Sequence, residues 1–571
     1  MATWVYPFLA FAKAFGLAIC LVLLRGLLWL VNLLVFAPPF DPLGKIPGPA
    51  GSFFESHFEG AGNPQESPKA YAAWRKAHGN TFRFQGFGKH DYRLMTFDFR
   101  AIAHIFTSTT YEKPWQTRSY LSRMIGNGIF SMEGHEHKVQ RKVISPAFSA
   151  QAVKGVSPIF AQKADQLCDI WDSQVDAASQ SQNIVVNVAH WFSRTTFDII
   201  GLSGFNYNFD SLADESEPIH LAFRRMFRTL DKGIGPRDIV ELYFPILRTI
   251  WPSEDGKIIK QSLKEIEDVG QTFISEKKAN VQVQQGSHQK DILSLLIKSN
   301  LSLDSSARLS DKDLLDQCTT FLLAGSDSSS VAMSWALHLL ATHPDIQRRL
   351  YAEIQVSIKA SKNSEDYDSD ASDDSGFAED PKFKHEASIH SGRASFIEAI
   401  QSMPYLDGVV REALRLYPPV HSTIRVATQD DEIPLSEPIS VSGEFTTSVK
   451  IRKGSFIHIP IEGINGCEAL WGADAQEFNP LRWSKLPKAV TNGFPGLGSL
   501  MSFGYGPHAC LGFQFTASEI KTVLATVVSR FEFSPADDVK INKYNCIITR
   551  PFVEGCWKDG AQLPLKIRRR N

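Results

Sequence analysis

From about Phe53 onward, apolar side chains recur at the three- and four-residue spacing of amphipathic helices. Strand-like alternation interrupts that pattern near Thr81–Phe87, Tyr92–Phe97 and Ser448–Pro460, which predicts a mainly α fold with a small β portion. The sequence holds no internal repeat. The longest predicted helix runs from about Ser310 to Thr342 and opens on a capping box, Ser310-x-x-Asp313. At 1.5 Å per residue it would measure roughly 50 Å, enough to cross a whole domain. A further amphipathic segment extends from Phe513 to Phe531. Ahead of all this, Phe15 to Phe36 is an apolar run of 22 residues broken only by Arg25 and Asn32. As a helix it could span about 30 Å of hydrocarbon. Arg25 is costly there unless its side chain snorkels to the interface. A cleaved signal peptide is the alternative, but the apolar core is long for one. Pro38-Pro39-Phe40-Asp41-Pro42-Leu43-Gly44-Lys45-Ile46-Pro47-Gly48-Pro49 then forms a stiff connector that cannot continue a helix. The expected division is an N-terminal transmembrane anchor at 1–37, a proline-rich hinge at 38–52 and one large domain at 53–571.

Two polar stretches break the pattern. Ser364 to Asp380 holds eight acidic residues, four serines and no basic residue. Such a segment cannot bury enough surface to offset its ordering entropy, so a disordered insertion is expected at about 360–394, between helices ending near Ile358 and starting near Ser395. Ser369, Ser372 and Ser375 are candidate phosphorylation sites on it, against a plain solvated insertion. The other stretch, Ala324-Gly325-Ser326-Asp327-Ser328-Ser329-Ser330, lies inside the long helix. The glycine alone costs about 1 kcal/mol there, and serine hydroxyls can bond back to i−4 carbonyls and bend the helix. A local violation between two apolar halves suggests function. A packed kink of small residues is the competing explanation.

Composition narrows the class. A formal charge of −2 over 571 residues, with no basic stripe, argues against nucleic acid as a partner. The seven cysteines include no C-x-x-C and no C-x-x-C-H, against a disulfide framework, a zinc knuckle or covalent c-type heme. One of them stands out. Phe503-Gly504-Tyr505-Gly506-Pro507-His508-Ala509-Cys510-Leu511-Gly512 puts Cys510 at the exit of a glycine-rich loop, just before the Phe513 segment. Unpaired N–H groups and the helix dipole favour its thiolate, the form a metal needs. Gly506 permits a backbone conformation that a side chain would hinder. An inert buried cysteine is the bland alternative.

The loop resembles the heme-binding loop of the cytochrome P-450 monooxygenases, F-x-x-G-x-(R/H)-x-C-x-G, with every fixed position met and histidine at the site where arginine is usual. Further motifs follow in the family's order. Ala324–Ser329 resembles (A/G)-G-x-(D/E)-(T/S)-(T/S), Glu412-Ala413-Leu414-Arg415 its E-x-x-R, and Phe478-Asn479-Pro480-Leu481-Arg482-Trp483 its F-x-P-x-R-(F/W). The resemblance covers nearly everything after the anchor. It implies the P-450 fold and heme b, with Cys510 as the axial ligand whose electron donation favours O–O cleavage. It gives Asp327 and Ser328 the acid–alcohol proton relay, with serine in place of the usual threonine. It makes Glu412, Arg415 and Arg482 a scaffold. It assigns the heme propionates to His137, Arg141, Arg425 and His508, with His137 where that helix usually carries tryptophan. Phe503, Gly506 and Gly512 belong to the cofactor loop, Gly512 letting a flat group lie close.

The implied reaction is hydroxylation or epoxidation of a lipophilic small molecule with dioxygen. Electrons would come from NADPH–cytochrome P-450 reductase, with cytochrome b5 as a further candidate, since the chain carries no nicotinamide or flavin fingerprint. The flavour is that of fungal microsomal members, many of which serve secondary metabolism such as terpenoid biosynthesis. That implies an endoplasmic reticulum membrane, a single pass and a cytosol-facing domain. The pocket walls would come from Tyr111–Phe130, the region of Phe223–Trp251, Val420–Ile424 and Asn545–Phe552. Within them, Leu242–Leu247 and Trp251 are apolar enough to dip into a bilayer or to form an ordinary core helix. The rival functions are a same-fold enzyme that uses peroxide or rearranges its substrate, and a non-catalytic membrane heme protein.

Overall fold

In the computed structural model the described residues are 16–17, 20–21, 24–28, 31–36, 38–63, 66–178, 183–232, 235–283, 291–303, 308–370, 396–491, 496 and 498–570. The chain divides into two compact units, Met1–Glu112 with Ile424–Pro460, and Lys113–Thr423 with Ile461–Asn571.

The first unit holds most of a five-stranded sheet in the order Thr81–Gln85, Tyr92–Thr96, Phe456–Ile459, Thr423–Ala427 and Tyr111–Glu112. Phe82, Phe84, Leu94 and Met95 are fully buried in it, and the ring of Trp74, from the helix Ser67–His78, stacks on Phe84 at 6.0 Å. The expected strands near Thr81 and Tyr92 are therefore present. The third expected patch is split, because Asp431–Val441 and Glu444–Ile451 form an antiparallel hairpin ahead of Phe456–Ile459. Its tight turn has positive φ at Ser442 (53°) and Gly443 (91°), the geometry a two-residue hairpin favours.

The second unit is dominated by helices. Those that matter below are α1 (Gly134–Ile144), α2 (Pro218–Leu230), α3 (Asp311–Thr342), α4 (Pro404–Leu416) and α5 (Phe513–Arg530). α3 starts as predicted, with Ser310 and Asp313 capping each other. The helix runs unbroken through the polar stretch, and Ser326, Ser328 and Ser334 satisfy their hydroxyls on the i−4 carbonyls at 2.6–2.7 Å, the back-bonding expected there. Gly325 has a packing reason, since a Cβ there would lie 2.8 Å from Cδ1 of Ile200 on the neighbouring helix Val188–Ile200.

One further boundary differs from expectation. The helix beginning at Pro344 runs to Asp370 rather than stopping near Ile358. Extending an existing helix costs no new nucleus, so the first acidic residues simply continue it. Residues 371–395, with Ser372 and Ser375, lie outside the described residues. Among the described residues no helix is long and apolar enough to cross a membrane, and the expected anchor is only partly described.

α4 carries the scaffold. Glu412 and Arg415 are fully buried, and Arg415 donates Nε and Nη2 to the two Glu412 oxygens at 2.9 and 2.8 Å. Arg482 donates Nε to Glu412 Oε1 at 3.2 Å and grips Asp474 with both terminal nitrogens at 2.8 Å. Trp483 Nε1 adds a donor to Glu412 Oε2 at 2.9 Å, and Arg415 Nη1 closes on the carbonyls of Asn465 and Ala475. Every charge here is answered, so removing one partner exposes the rest. Glu412→Ala should lower unfolding free energy by about 3–5 kcal/mol in denaturant titrations, and Glu412→Gln by less.

His421 supplies a pH dependence. Burial holds its imidazole down at about 4, against the raising effect of the Cys546 carbonyl that accepts from Nε2 at 2.8 Å. The unfolded chain protonates near 6.5 and the folded one does not, so this stabilisation is complete above 6.5 and is lost as pH falls towards 4. Urea midpoints should fall over that window, with a shallower slope in His421→Gln.

Candidate functional site

The loop before α5 is built to present a sulfur. Gly506 sits at φ 67°, where a side chain is strained, and Gly504 at φ 70°. The N–H of Cys510 donates to the Phe503 carbonyl at 2.8 Å, and the buried Phe503 ring meets Phe513 edge-on at 4.8 Å. Cys510 is left exposed at the start of α5. The protein crowded around its thiol pushes the pKa up, while the Gly512 N–H and the Arg141 charge pull it down. The local electrostatics named in the sequence reading are thus present but do not by themselves outweigh burial. A coordinated cation does, since it deprotonates a thiol outright. At Gly512 a Cβ would meet nothing closer than Cys510 Sγ and Thr516 Oγ1, both at 3.9 Å. Packing alone therefore does not demand the glycine, which fits a close-lying flat ligand.

Beside the sulfur lies a cationic cluster. Arg141 of α1 donates Nη1 to the Ala509 carbonyl at 2.8 Å. The rings of His137 and His508 are 4.0 Å apart, tilted by 30°. His508 Nε2 is 3.0 Å from Glu133 Oε2, and Lys113 pairs with Glu133 Oε1. Burial raises the Glu133 carboxyl, but His508 and Lys113 outweigh it and hold it at about 2. His137 is pulled down to about 3, first by burial and then by the charges of His508 and Lys113. It is therefore a neutral donor here rather than a second cation. Glu133 escaped the sequence reading because an acid next to Gly134 carries no motif. Arg425 belongs to the other unit, where it is buried with its guanidinium 4.9 Å over the Phe106 ring.

α3 contributes a wall that is mostly buried around its polar stretch. Asp327 and Ser326 are buried, whereas Ala324 is exposed and Gly325 and Ser328 are half-buried. These last three share one helical face by spacing. Ser328 Oγ donates to the Ala324 carbonyl at 2.6 Å. Asp327 points elsewhere, into a bidentate pair with Arg550 at 2.8 Å on both oxygens. Arg550 also reaches Asp231. On α5, Glu519 is fully buried and burial pushes its carboxyl up to about 8, with Ser329 acting in the opposite direction. Neither Arg550 nor Glu519 was named from the sequence.

The site therefore offers one accessible sulfur, cations and imidazole N–H groups beside it, and a small-residue helix face carrying a hydroxyl. That set fits heme: a thiolate for iron, Arg141, His137 and His508 for carboxylates, and Ser328 for a proton.

Comparison with known proteins agrees. The family model described as Cytochrome P450 matches residues 46–371 and 385–551. The chain is 35% identical over 555 residues to cytochrome P450 monooxygenase 205 of Postia placenta, covering 95% of each chain. It is 34% identical to cytochrome P450 monooxygenase 128 of the same fungus, covering 94% of this chain and 95% of that one. Cytochrome P450 monooxygenase claQ of Ampulloclitocybe clavipes is 31% identical, covering 89% of this chain and 90% of its own.

Proposed function

The chain belongs to the cytochrome P450 family and is an oxygen-incorporating oxidoreductase that uses heme-thiolate iron, dioxygen, a redox partner and a small-molecule substrate; from that premise we propose that it hydroxylates or epoxidises a lipophilic compound in secondary metabolism, such as a terpenoid. The observation that carries this reading is Cys510, held accessible at the start of α5 by a loop that meets every fixed position of the family's pattern.

Heme b, when bound, supplies the redox chemistry that splits dioxygen. The rest falls to the chain. Cys510 Sγ provides the anionic ligand, and its N–H, tied to the Phe503 carbonyl, fixes the direction from which the sulfur is offered. Arg141, His137 and His508 would hold the propionates, with Glu133, 3.0 Å from His508 Nε2, keeping that ring aimed. Arg425 is the remaining propionate candidate, carried over from the family motif. Ser328 Oγ stands on the open face of α3 and would hand a proton to reduced dioxygen. Asp327 would replenish it through its carboxyl.

NADPH–cytochrome P-450 reductase, with cytochrome b5 as a second donor, is the redox partner this reading calls for. Residues 1–37 would be a single-pass anchor in the endoplasmic reticulum membrane, with the catalytic part facing the cytosol. Support for the anchor comes from Leu17, Leu21, Leu24, Leu27 and Leu28, all more than half exposed. Exposed Phe244, Ile246, Ile250 and Trp251 favour the bilayer-dipping alternative over a core helix for that segment.

Two measurements test the reading. The reduced, carbon-monoxide difference spectrum of membranes carrying the protein should show the thiolate-ligated form and lose it in Cys510→Ser. Asp327→Asn and Ser328→Ala should keep that spectrum while raising several-fold the hydrogen peroxide released per NADPH consumed. An unchanged peroxide yield in both would remove the relay.

A further inference from the structure

α2 stops at Leu230, and Asp231 is its C-cap, its N–H bonded to the Phe227 carbonyl at 2.8 Å. A carboxylate there faces the negative end of the helix dipole. It is held nonetheless, because Nε of Arg550 lies 2.8 Å from its oxygens. Arg550 belongs to the strand Thr549–Val553, and its guanidinium packs 5.1 Å over the Phe227 ring. The Nη1 and Nη2 atoms of the same guanidinium reach the two oxygens of Asp327 on α3, each at 2.8 Å. One cation thus serves two carboxylates, and all three side chains are at most 12% exposed. Such an arrangement is a poor device for stability, since desolvating three charges costs more than apolar packing in the same volume. It does fix geometry, because a planar fork anchored through Nε can offer its two ends in only one direction.

We propose that Asp231 is a positioning residue for the oxygen chemistry: it anchors Arg550 through Nε, so that the guanidinium clamps Asp327 in one orientation while its charge is divided between the two acids. The inference rests on the reading of Asp327 as a proton-handling group. With Asp231 present, Asp327 shares the charge of Arg550 with a second carboxylate. Without it, the whole charge of Arg550 falls on Asp327, which then accepts and passes protons less readily. Burial first, then the Asp327 charge, raises the Asp231 carboxyl against the opposing pull of Arg550, consistent with two acids competing for one partner.

The test uses the purified holoenzyme with an NADPH-dependent flavoprotein reductase, NADPH and dioxygen, without added organic substrate. Dioxygen taking two electrons and two protons leaves as hydrogen peroxide; taking four of each, it breaks its O–O bond and leaves as two waters. Asp231→Asn and Arg550→Lys should raise peroxide per NADPH several-fold and enlarge the solvent deuterium effect on NADPH oxidation, while Asp231→Glu recovers most of the wild-type ratio. Wild-type ratios in both variants, alongside a raised ratio in Asp327→Asn, would overturn the role of Asp231 alone. Unchanged ratios in all three would overturn the Asp327 reading as well. Thermal unfolding gives an independent readout. The double variant Asp231→Asn/Asp327→Asn should lose more than the two singles together, because only it leaves Arg550 buried with no carboxylate. Additive losses would overturn the shared clamp.

Discussion

Cys510 stands exposed at the start of α5, yet the protein packed close around it resists ionisation of the thiol, and the structure is arranged against that resistance. Burial raises its pKa, and the Gly512 N–H and the Arg141 charge offset part of the rise. A metal cation completes the offset. The architecture of the second unit follows from keeping this sulfur fixed and reachable. The left-handed glycines of the loop turn the chain, the bond from Cys510 N–H to Phe503 ties the loop to itself, and α5 begins three residues after Cys510. Beneath it, Glu412 gathers two arginines, a tryptophan N–H and a backbone N–H onto one carboxylate. The network spends desolvation energy to hold one geometry.

The opposite wall solves a different problem. α3 must stay rigid yet present a hydroxyl and a nearby acid to small molecules. It does so without breaking: its serines bond back to their own turns, Gly325 lets Ile200 approach, and the face of Ala324, Gly325 and Ser328 stays open. The acid is turned away from that face and shared with Arg550. Proton supply and scaffold are thereby joined, since the cation that steadies Asp327 is itself steadied from the end of α2.

Features that depend on neighbours in sequence were legible, and those that depend on distant partners were not. The Ser310 capping box, the helix after Gly512 and the link of Glu412 to Arg415 and Arg482 follow from spacing and motif, and the structure has each. The packing role of Gly325 was not legible because its partner, Ile200, lies 125 positions earlier in the sequence. The hairpin at Asp431–Ile451 was missed because its strands carry mixed polar faces, leaving Ser442-Gly443 as the one local sign. Arg550, Asp231, Glu133 and Glu519 leave no periodic trace, being isolated charges whose meaning comes from partners far along the chain. The acidic stretch after Ile358 read as wholly unstructured because composition cannot say how far a helix already formed will carry.

The account turns on the bond from Cys510 to iron. Iron-edge X-ray absorption on the purified oxidised protein addresses it directly, because the first coordination shell distinguishes sulfur from nitrogen and oxygen. One sulfur neighbour, lost in Cys510→Ala, is the predicted result. A wild-type shell of nitrogen and oxygen alone would contradict it.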